Sequence, residues 1–144
     1  MITEKVREFL LLCPQLAGRK MNINCLGVSP GSLSLDNVAA EPVIKEYCDG
    51  ETLRQAVFAL GVRELYDENI GENLEVTKLL EDVEVWILRQ NTIKNLPMLG
   101  RNDMVCRGIE VTKTGHLYDT SMSSGRWQME FRVVYRQKQF GDIK

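Results

Sequence analysis

A strict alternation of apolar and polar residues in the last third of the chain is the pattern that most restricts the fold. Because side chains alternate between the two faces of a strand, this period of two predicts one long strand with a buried face. A helix would scatter the same apolar side chains around its circumference. The apolar set is Trp127, Met129, Phe131, Val133 and Tyr135, and the set between them is Gln128, Glu130, Arg132, Val134 and Arg136.

The N-terminal segment has the helical period instead, with apolar residues three and four positions apart. We predict a short amphipathic helix from Thr3 to Leu12, with Thr3 as its candidate N-cap. Pro14 follows the last turn, where it prevents the helix from continuing. The apolar face of this helix consists of Val6, Phe9, Leu10 and Cys13.

A second and longer helix is predicted from Asn69 onward. Asn69 and Glu72 form a candidate capping pair, and the Asn95-Leu96-Pro97 sequence is a suitable stop. Gly71 weakens the first turn, so residues 70–75 are expected to form a separate short turn. The positions expected to face the core are Val76, Leu79, Leu80, Val83, Trp86 and Ile87.

Three further segments in the first half have the composition of short strands. Residues 33–38 and 43–48 are β-type runs, and an Asp49-Gly50 turn follows the second. Residues 21–26 alternate, which predicts a strand that buries one face. The residues on that face are Met21, Ile23 and Cys25.

Residues 52–66 fit both periods, and a helix is the alternative to a strand there. Gly61 would weaken a helix interior, while Val57, Phe58 and Val62 favour a strand. Since both faces are nearly apolar, we expect a central strand, with a bulge at Gly61.

The segment that precedes the long alternating strand is predicted to be a hairpin. Ile109 to Lys113 alternates, Thr114-Gly115 has the composition of a turn, and His116 to Asp119 would form the returning arm. Residues 121–125 are expected to form a flexible loop.

The order of elements is therefore helix, strands, helix, strands. This order predicts an α+β fold, in which a mixed, mainly antiparallel sheet carries one short N-terminal helix and one long central helix. A chain of 144 residues suits a single domain, here residues 1–138, followed by a flexible tail over residues 139–144.

The charge balance excludes some classes of protein. With 18 basic and 20 acidic residues, the chain lacks the bulk positive charge that is typical of proteins that bind duplex DNA. The charge is uneven: residues 101–144 hold eight Lys or Arg against five Asp or Glu, and residues 51–100 hold five against nine. Opposite charge on two parts of one small domain suits head-to-tail contact between copies.

No apolar run is long enough for a membrane helix or has the flanks of a secretory signal, so we expect a protein made in the cytoplasm.

The four cysteines occur singly, with no C-x-x-C pair. That spacing indicates no metal site, and no oxidising compartment is suggested that would favour disulfides. Each is therefore expected to act as a small buried apolar residue. They are Cys13, Cys25, Cys48 and Cys106.

No arrangement of residues indicates catalysis or a cofactor. His116 is the sole histidine, and Asp119 could orient it, but neighbouring positions on a hairpin do not form a catalytic pair and no G-x-S-x-G motif is present. Residues 27–32 are glycine-rich, yet they lack the lysine of a phosphate-binding loop. We predict no catalytic, cofactor-binding or metal-binding residues.

In the order and spacing of its segments, the chain resembles the tail terminator proteins of long-tailed bacteriophages, also called tail completion or minor capsid proteins. No single motif is diagnostic, and the likeness covers most of the length. The segments that carry it are residues 1–8 closing on Cys13-Pro14, residues 41–47 running into Asp49-Gly50, Leu53-Arg54-Gln55, residues 63–66, Trp86-Ile87, Asn95-Leu96-Pro97, and residues 109–115 with the strand to Tyr135.

The resemblance implies a structural virion protein of the tail-neck region. Members of this family form a six-membered ring on the head-proximal end of the tail tube, stop tube growth and offer the joint to the head connector or stopper protein. The expected partners are therefore further copies of the chain, the tail tube protein and the connector. Genomic DNA would pass through the lumen without specific binding, which agrees with the near-neutral composition.

Polar loops are the expected contact surfaces, because loops on a rigid scaffold usually carry recognition. Two alternatives remain. One is another neck component, such as a head completion protein, and the other is a small intracellular transferase that uses His116, although Thr120 stands where an H-x-x-x-D motif requires aspartate. The candidate interface residues are Ser29, Ser32, Asp36, Arg101, Asn102, Asp103, Ser121, Ser123 and Arg126.

Overall fold

The computed structural model describes residues 1–66, 70–121 and 124–139. The fold is α+β, as predicted. Residues 140–144 of the predicted tail, and the predicted cap Asn69, lie outside the described residues. In chain order the elements are α1 (Ile2–Leu10), β1 (Met21–Ile23), β2 (Ser32–Val38), β3 (Val43–Glu46), β4 (Thr52–Leu65), α2 (Ile70–Thr92), β5 (Met104–Ser121) and β6 (Ser124–Gln137).

The six strands form one sheet in the order β1-β2-β4-β6-β5. β3 pairs with the first residues of β4, beyond the end of β2. All pairs are antiparallel except β1 with β2, which is parallel. The two long strands β4 and β6 therefore lie in the interior of the sheet, where both of their edges are paired.

The β4 and β6 strands pair over 14 residues each without a shift in register. Gly61 lies directly opposite Gln128, so the bulge predicted at Gly61 is wrong. The strand prediction for residues 52–66 is confirmed. Phe58 lies opposite Phe131, and their rings stack with centroids 5.7 Å apart.

The hairpin predicted within residues 109–119 is wrong, because β5 runs straight through Thr114 and Gly115. β5 has 18 residues where β6 has 14, and the register shifts four times between them. Each shift accommodates one extra residue as a bulge. Turn-type residues are thus absorbed in bulges, and the pairing of β5 with β6 extends to Ser121 and Ser124, which lie opposite each other.

Both helices pack on one face of the sheet and share one apolar core with it. Phe9 of α1 contacts Trp86 of α2, with ring centroids 5.1 Å apart. The alternating residues of β6 face this core, as predicted. The largest fully buried side chains are Phe58, Phe131, Leu10, Leu16, Met21, Leu33, Leu35, Leu60, Leu80, Ile87, Leu99 and Ile109.

Several details of the helices and of β1 differ from prediction. Thr3 lies inside α1, whose N-cap position is Met1, so its predicted capping role is wrong. α2 continues through Gly71 without a separate turn, because packing on the sheet outweighs the weak propensity of glycine. Ile23 and Cys25 are exposed, since β1 has only three residues and leaves the core after Met21.

The expectation that every cysteine is buried is wrong for two of the four. Cys13 is fully buried, and burial raises the pKa of its thiol above the ordinary value. Cys106 is half-buried, and burial raises its pKa as well. Cys25 and Cys48 are exposed because they follow short strands at the margin of the sheet.

Candidate functional site

Asp36 and Arg126, predicted to be loop contacts, lie on strands and bind each other. Arg126 Nη2 donates to Asp36 Oδ2 at 2.7 Å, across the intervening strand β4. Gly61 provides the space on β4, because a Cβ there would lie 3.2 Å from Arg126 Nη2. Arg126 also lies over the Tyr118 ring, 5.4 Å from its centroid. These two residues therefore tie three strands together.

Asp103, another predicted contact, is buried instead of presented to a partner. Arg101 donates to both of its carboxylate oxygens, at 3.0 and 2.9 Å, and Gln137 Nε2 donates to Oδ2 at 2.5 Å. Burial, the largest influence, raises the pKa of Asp103, but these hydrogen bonds outweigh it and hold the pKa below the ordinary value. Arg101 and Asn102 are exposed on the same turn.

Of the other predicted contacts, Ser29 lies in the segment between β1 and β2, whereas Ser32 is the first residue of β2 and not a loop residue. Ser29 is exposed, and its carbonyl accepts a hydrogen bond from the Ser32 hydroxyl at 2.7 Å. Ser121 is the last residue of β5. Ser123 lies outside the described residues.

The sheet face turned away from the helices, here called the open face, carries four cations that are paired with carboxylates. Arg126 pairs with Asp36 as described, and the other pairs also join neighbouring strands or the turn beside them. The pairs are Lys113 with Glu130 at 3.6 Å, Arg132 with Glu110 at 2.6 Å, and Arg136 with Glu51 and, at 3.8 Å, Asp49.

Arg136 anchors the β3–β4 turn to β6 at one end of the open face. Its guanidinium lies 4.5 Å from the centroid of the Tyr47 ring. The hydrogen bond to Glu51, and then the charges around it, raise the pKa of Arg136. The pKa of Asp49 is lowered, chiefly because its carboxylate accepts the Glu51 backbone N–H. Every cation named on this face thus has a carboxylate partner.

An open groove of about 790 Å³ lies beside the end of α2, between Lys5 and the segment 94–107; we call it the basic groove. Its cations are Lys5, Lys94, Arg101 and Arg107, and no carboxylate of the described residues lines it. Glu8 pairs with Lys5 and Asp103 with Arg101, from outside the lining.

Two cations of the basic groove have no carboxylate partner. Lys94 and Arg107 are both exposed, and neither forms an ion pair within the part of the chain that the structure describes. Between them the groove exposes apolar surface, since Met98 is 83% exposed and Val105 is 47% exposed. The groove is therefore both cationic and apolar.

The outer surface of α2 has the opposite character, and we call it the acidic helix face. Leu74, Val85 and Leu88 are 61%, 52% and 49% exposed, at helical spacings that place them in one stripe with Glu81. Four carboxylates against two cations lie on or beside this stripe: Glu75, Glu81, Asp82 and Glu84 against Lys78 and Arg89. Lys78 is bound to Asp82 at 2.8 Å, which raises the pKa of the lysine.

His116, the candidate of the transferase alternative, is exposed on β5. Its Nδ1 lies 2.9 Å from the Thr114 carbonyl oxygen. The Asp119 carboxylate accepts the Thr120 backbone N–H at 2.8 Å. Each residue thus has a hydrogen bond to the backbone of its own strand.

Within residues 1–66, 70–121 and 124–139, no three His, Cys, Asp or Glu side chains are grouped so as to hold a metal ion. Neither described helix combines the length and apolarity needed to cross a membrane. No protein-family model matches the chain, and no curated protein matches it.

The sequence shows an acidic segment at residues 51–100 and a basic segment at residues 101–144, but it did not predict these two surfaces. Lys5 reaches the groove from α1, about ninety positions away from the other lining residues. The exposed apolar residues of α2 could have been noticed, because Leu74, Val85 and Leu88 lie off the stripe that faces the core.

Proposed function

We propose that this protein is a tail terminator of a long-tailed bacteriophage. In this role it forms a ring on the head-proximal end of the tail tube. The resemblance implies six copies in this ring. The ring stops the addition of tube subunits and forms the joint to the head connector. The site of action is the tail-neck region of the virion, and the protein is structural rather than enzymatic.

The observation that carries this proposal is the open face with its paired charges. A ring on the path of a genome must let DNA slide, and unpaired cations would hold phosphates. Arg126, Arg132 and Arg136 each donate a hydrogen bond to a carboxylate, and Lys113 lies 3.6 Å from Glu130. A face of this kind suits the lumen. The α+β fold is also the one that the resemblance implies, because members of that family are α+β domains.

The test is negative-stain electron microscopy of phage particles made when the gene carries an early stop codon. Tails of abnormal length, detached from filled heads, are expected, because nothing would cap the growing tube. A plasmid copy of the wild-type gene should restore normal tail length and joining, which controls for effects on neighbouring genes.

Other outcomes contradict the proposal. Tails of normal length that fail to join heads would replace it with the head completion alternative. Normal particles would exclude both neck roles, and the transferase alternative with His116 would then be the one to examine.

A further inference from the structure

We propose that neighbouring copies of this chain bind each other by inserting the acidic helix face of one copy into the basic groove of the next. The inference rests on the proposed function only in its claim that the copies form a ring. It identifies the two surfaces that make the contact, which the ring alone does not.

Charge complementarity is the first argument. The basic groove has four cations and no lining carboxylate, and Lys94 and Arg107 are unpaired among the described residues. The acidic helix face has an excess of carboxylates, of which Glu75 and Glu81 are exposed and form no ion pair in the described part of the chain. Surfaces of opposite sign attract and orient each other on contact.

Unpartnered apolar surface is the second argument. Met98 and Val105 of the groove are exposed, and so are Leu74, Val85 and Leu88 of the helix. A contact between the two surfaces would cover both sets at once, which is the favourable term in most associations. Each surface combines exposed apolar side chains with charged ones, as specific interfaces do.

The placement of the two surfaces makes the contact heterologous. Leu74, at the far end of the helix face, lies about 27 Å along the axis of α2 from Thr92, the last helical residue before the groove. Leu80 and Ile87 hold the opposite side of α2 in the core, so the helix face cannot turn into the groove of its own copy. Each copy therefore binds one neighbour through its acidic helix face and another neighbour through its basic groove. Repetition of such a contact closes into a ring or continues as a filament.

The test uses two variants, each with one surface reversed in charge. The groove variant carries Lys94→Glu and Arg107→Glu, and the helix variant carries Glu75→Lys and Glu81→Lys. Matched controls reverse the same charges elsewhere: Lys20→Glu with Lys45→Glu, and Glu41→Lys with Glu46→Lys, all at exposed positions. Circular dichroism and thermal melts establish that each variant folds.

Sedimentation velocity over a range of concentrations is the measurement. The wild type is expected to self-associate beyond the dimer, more strongly at low than at high salt. Each reversed variant should associate at least about tenfold more weakly, because like charges then face each other. The controls should behave as the wild type does.

Mixing the two reversed variants gives the sharpest result. The groove variant retains an intact helix face and the helix variant retains an intact groove, so these two surfaces bind each other. The reversed groove is acidic and the reversed helix face is basic, so these two surfaces are complementary as well. The mixture should therefore associate beyond the dimer again, with the two variants alternating, although neither variant does so alone. This recovery is expected only if the groove and the helix face bind each other.

Four results overturn the inference: a wild type that remains monomeric up to about 1 mM, a wild type that stops at a symmetric dimer, reversed variants that associate as the controls do, and a mixture that associates no more strongly than either variant alone. A monomeric wild type would leave an acidic segment of another protein as the occupant of the groove. The microscopy above is independent: abnormal tails with a failed mixing test would retain the terminator and discard this interface.

Discussion

Arg126 on β6 passes over Gly61 on β4 to bind Asp36 on β2, so two residues 90 positions apart join the two strands that flank the centre of the sheet. Both side chains are about one-fifth exposed. The ion pair is thus partly shielded from solvent and fixed on both sides by paired strands. Asp36 also accepts the Ser34 hydroxyl at 2.5 Å, which further orients its carboxylate.

A double-mutant cycle should detect this link in stability. Asp36→Asn and Arg126→Gln, singly and together, are expected to give a coupling of about 1 kcal/mol in urea unfolding, because the two groups are in direct contact and half-buried. Lys113 and Glu130 are the control pair. Their separation is 3.6 Å and Lys113 is 65% exposed, so the same cycle there should give a coupling near zero. Equal coupling in both cycles would contradict the special position of Arg126.

Gly61→Ala should destabilise the fold by about 1 kcal/mol. The added Cβ would lie 3.2 Å from Arg126 Nη2, whose far end is held by Asp36. In the Arg126→Ala background the crossing side chain is gone, and the same change should become neutral or stabilising, since alanine is less flexible than glycine in a strand. Thermal melts of the four proteins measure this change of sign. An equal loss in both backgrounds would mean that something other than Arg126 requires the glycine.

Thiol reactivity should divide the cysteines. Cys25 and Cys48 are exposed and should react rapidly with Ellman's reagent in the native protein. Cys13 is fully buried with a raised pKa, so it holds little thiolate and should react only on unfolding. Cys106, half-buried with a raised pKa, should be intermediate. Serine variants assign each kinetic phase, and four equally fast thiols would contradict the burial of Cys13.

Asp103 should make stability depend on pH in the acid range. Because its folded pKa is lowered from 3.8, ionised Asp103 favours the folded state, and this contribution is fully present above 3.8 and lost as pH falls through the folded pKa. Wild type should therefore exceed Asp103→Asn in stability at neutral pH, and the gap should shrink toward about pH 2. Urea unfolding of both proteins across this range measures the gap. A gap independent of pH would show that Asp103 acts through shape alone.

The elements that the sequence predicted well are those with one buried face. The alternation from Trp127 to Tyr135 survives in β6 because that strand has helices on one side and paired charges on the other. The buried positions of α1 could also be predicted, since Val6, Phe9 and Leu10 occur at helical spacing.

The features of the fold that could not be predicted from the sequence depend on contacts between residues that are distant in the chain. Thr114 and Gly115 have the composition of a turn, yet a bulge in an edge strand accepts the same residues. A bulge was predicted at Gly61, whereas the glycine leaves the space through which the Arg126 side chain crosses β4. Asp103 looked like a surface loop residue because Gln137, its partner, follows 34 positions later.

The place of β6 in the sheet also governs how the chain folds during synthesis. β4 is complete at residue 65, but the edge on which it needs β6 stays unpaired until residue 137 has been made. β6, the strand that joins β4 to β5, comes last among the described elements. The nascent chain therefore carries an open strand edge while residues 66–137 are made, a state that depends on chaperones or on speed to avoid aggregation.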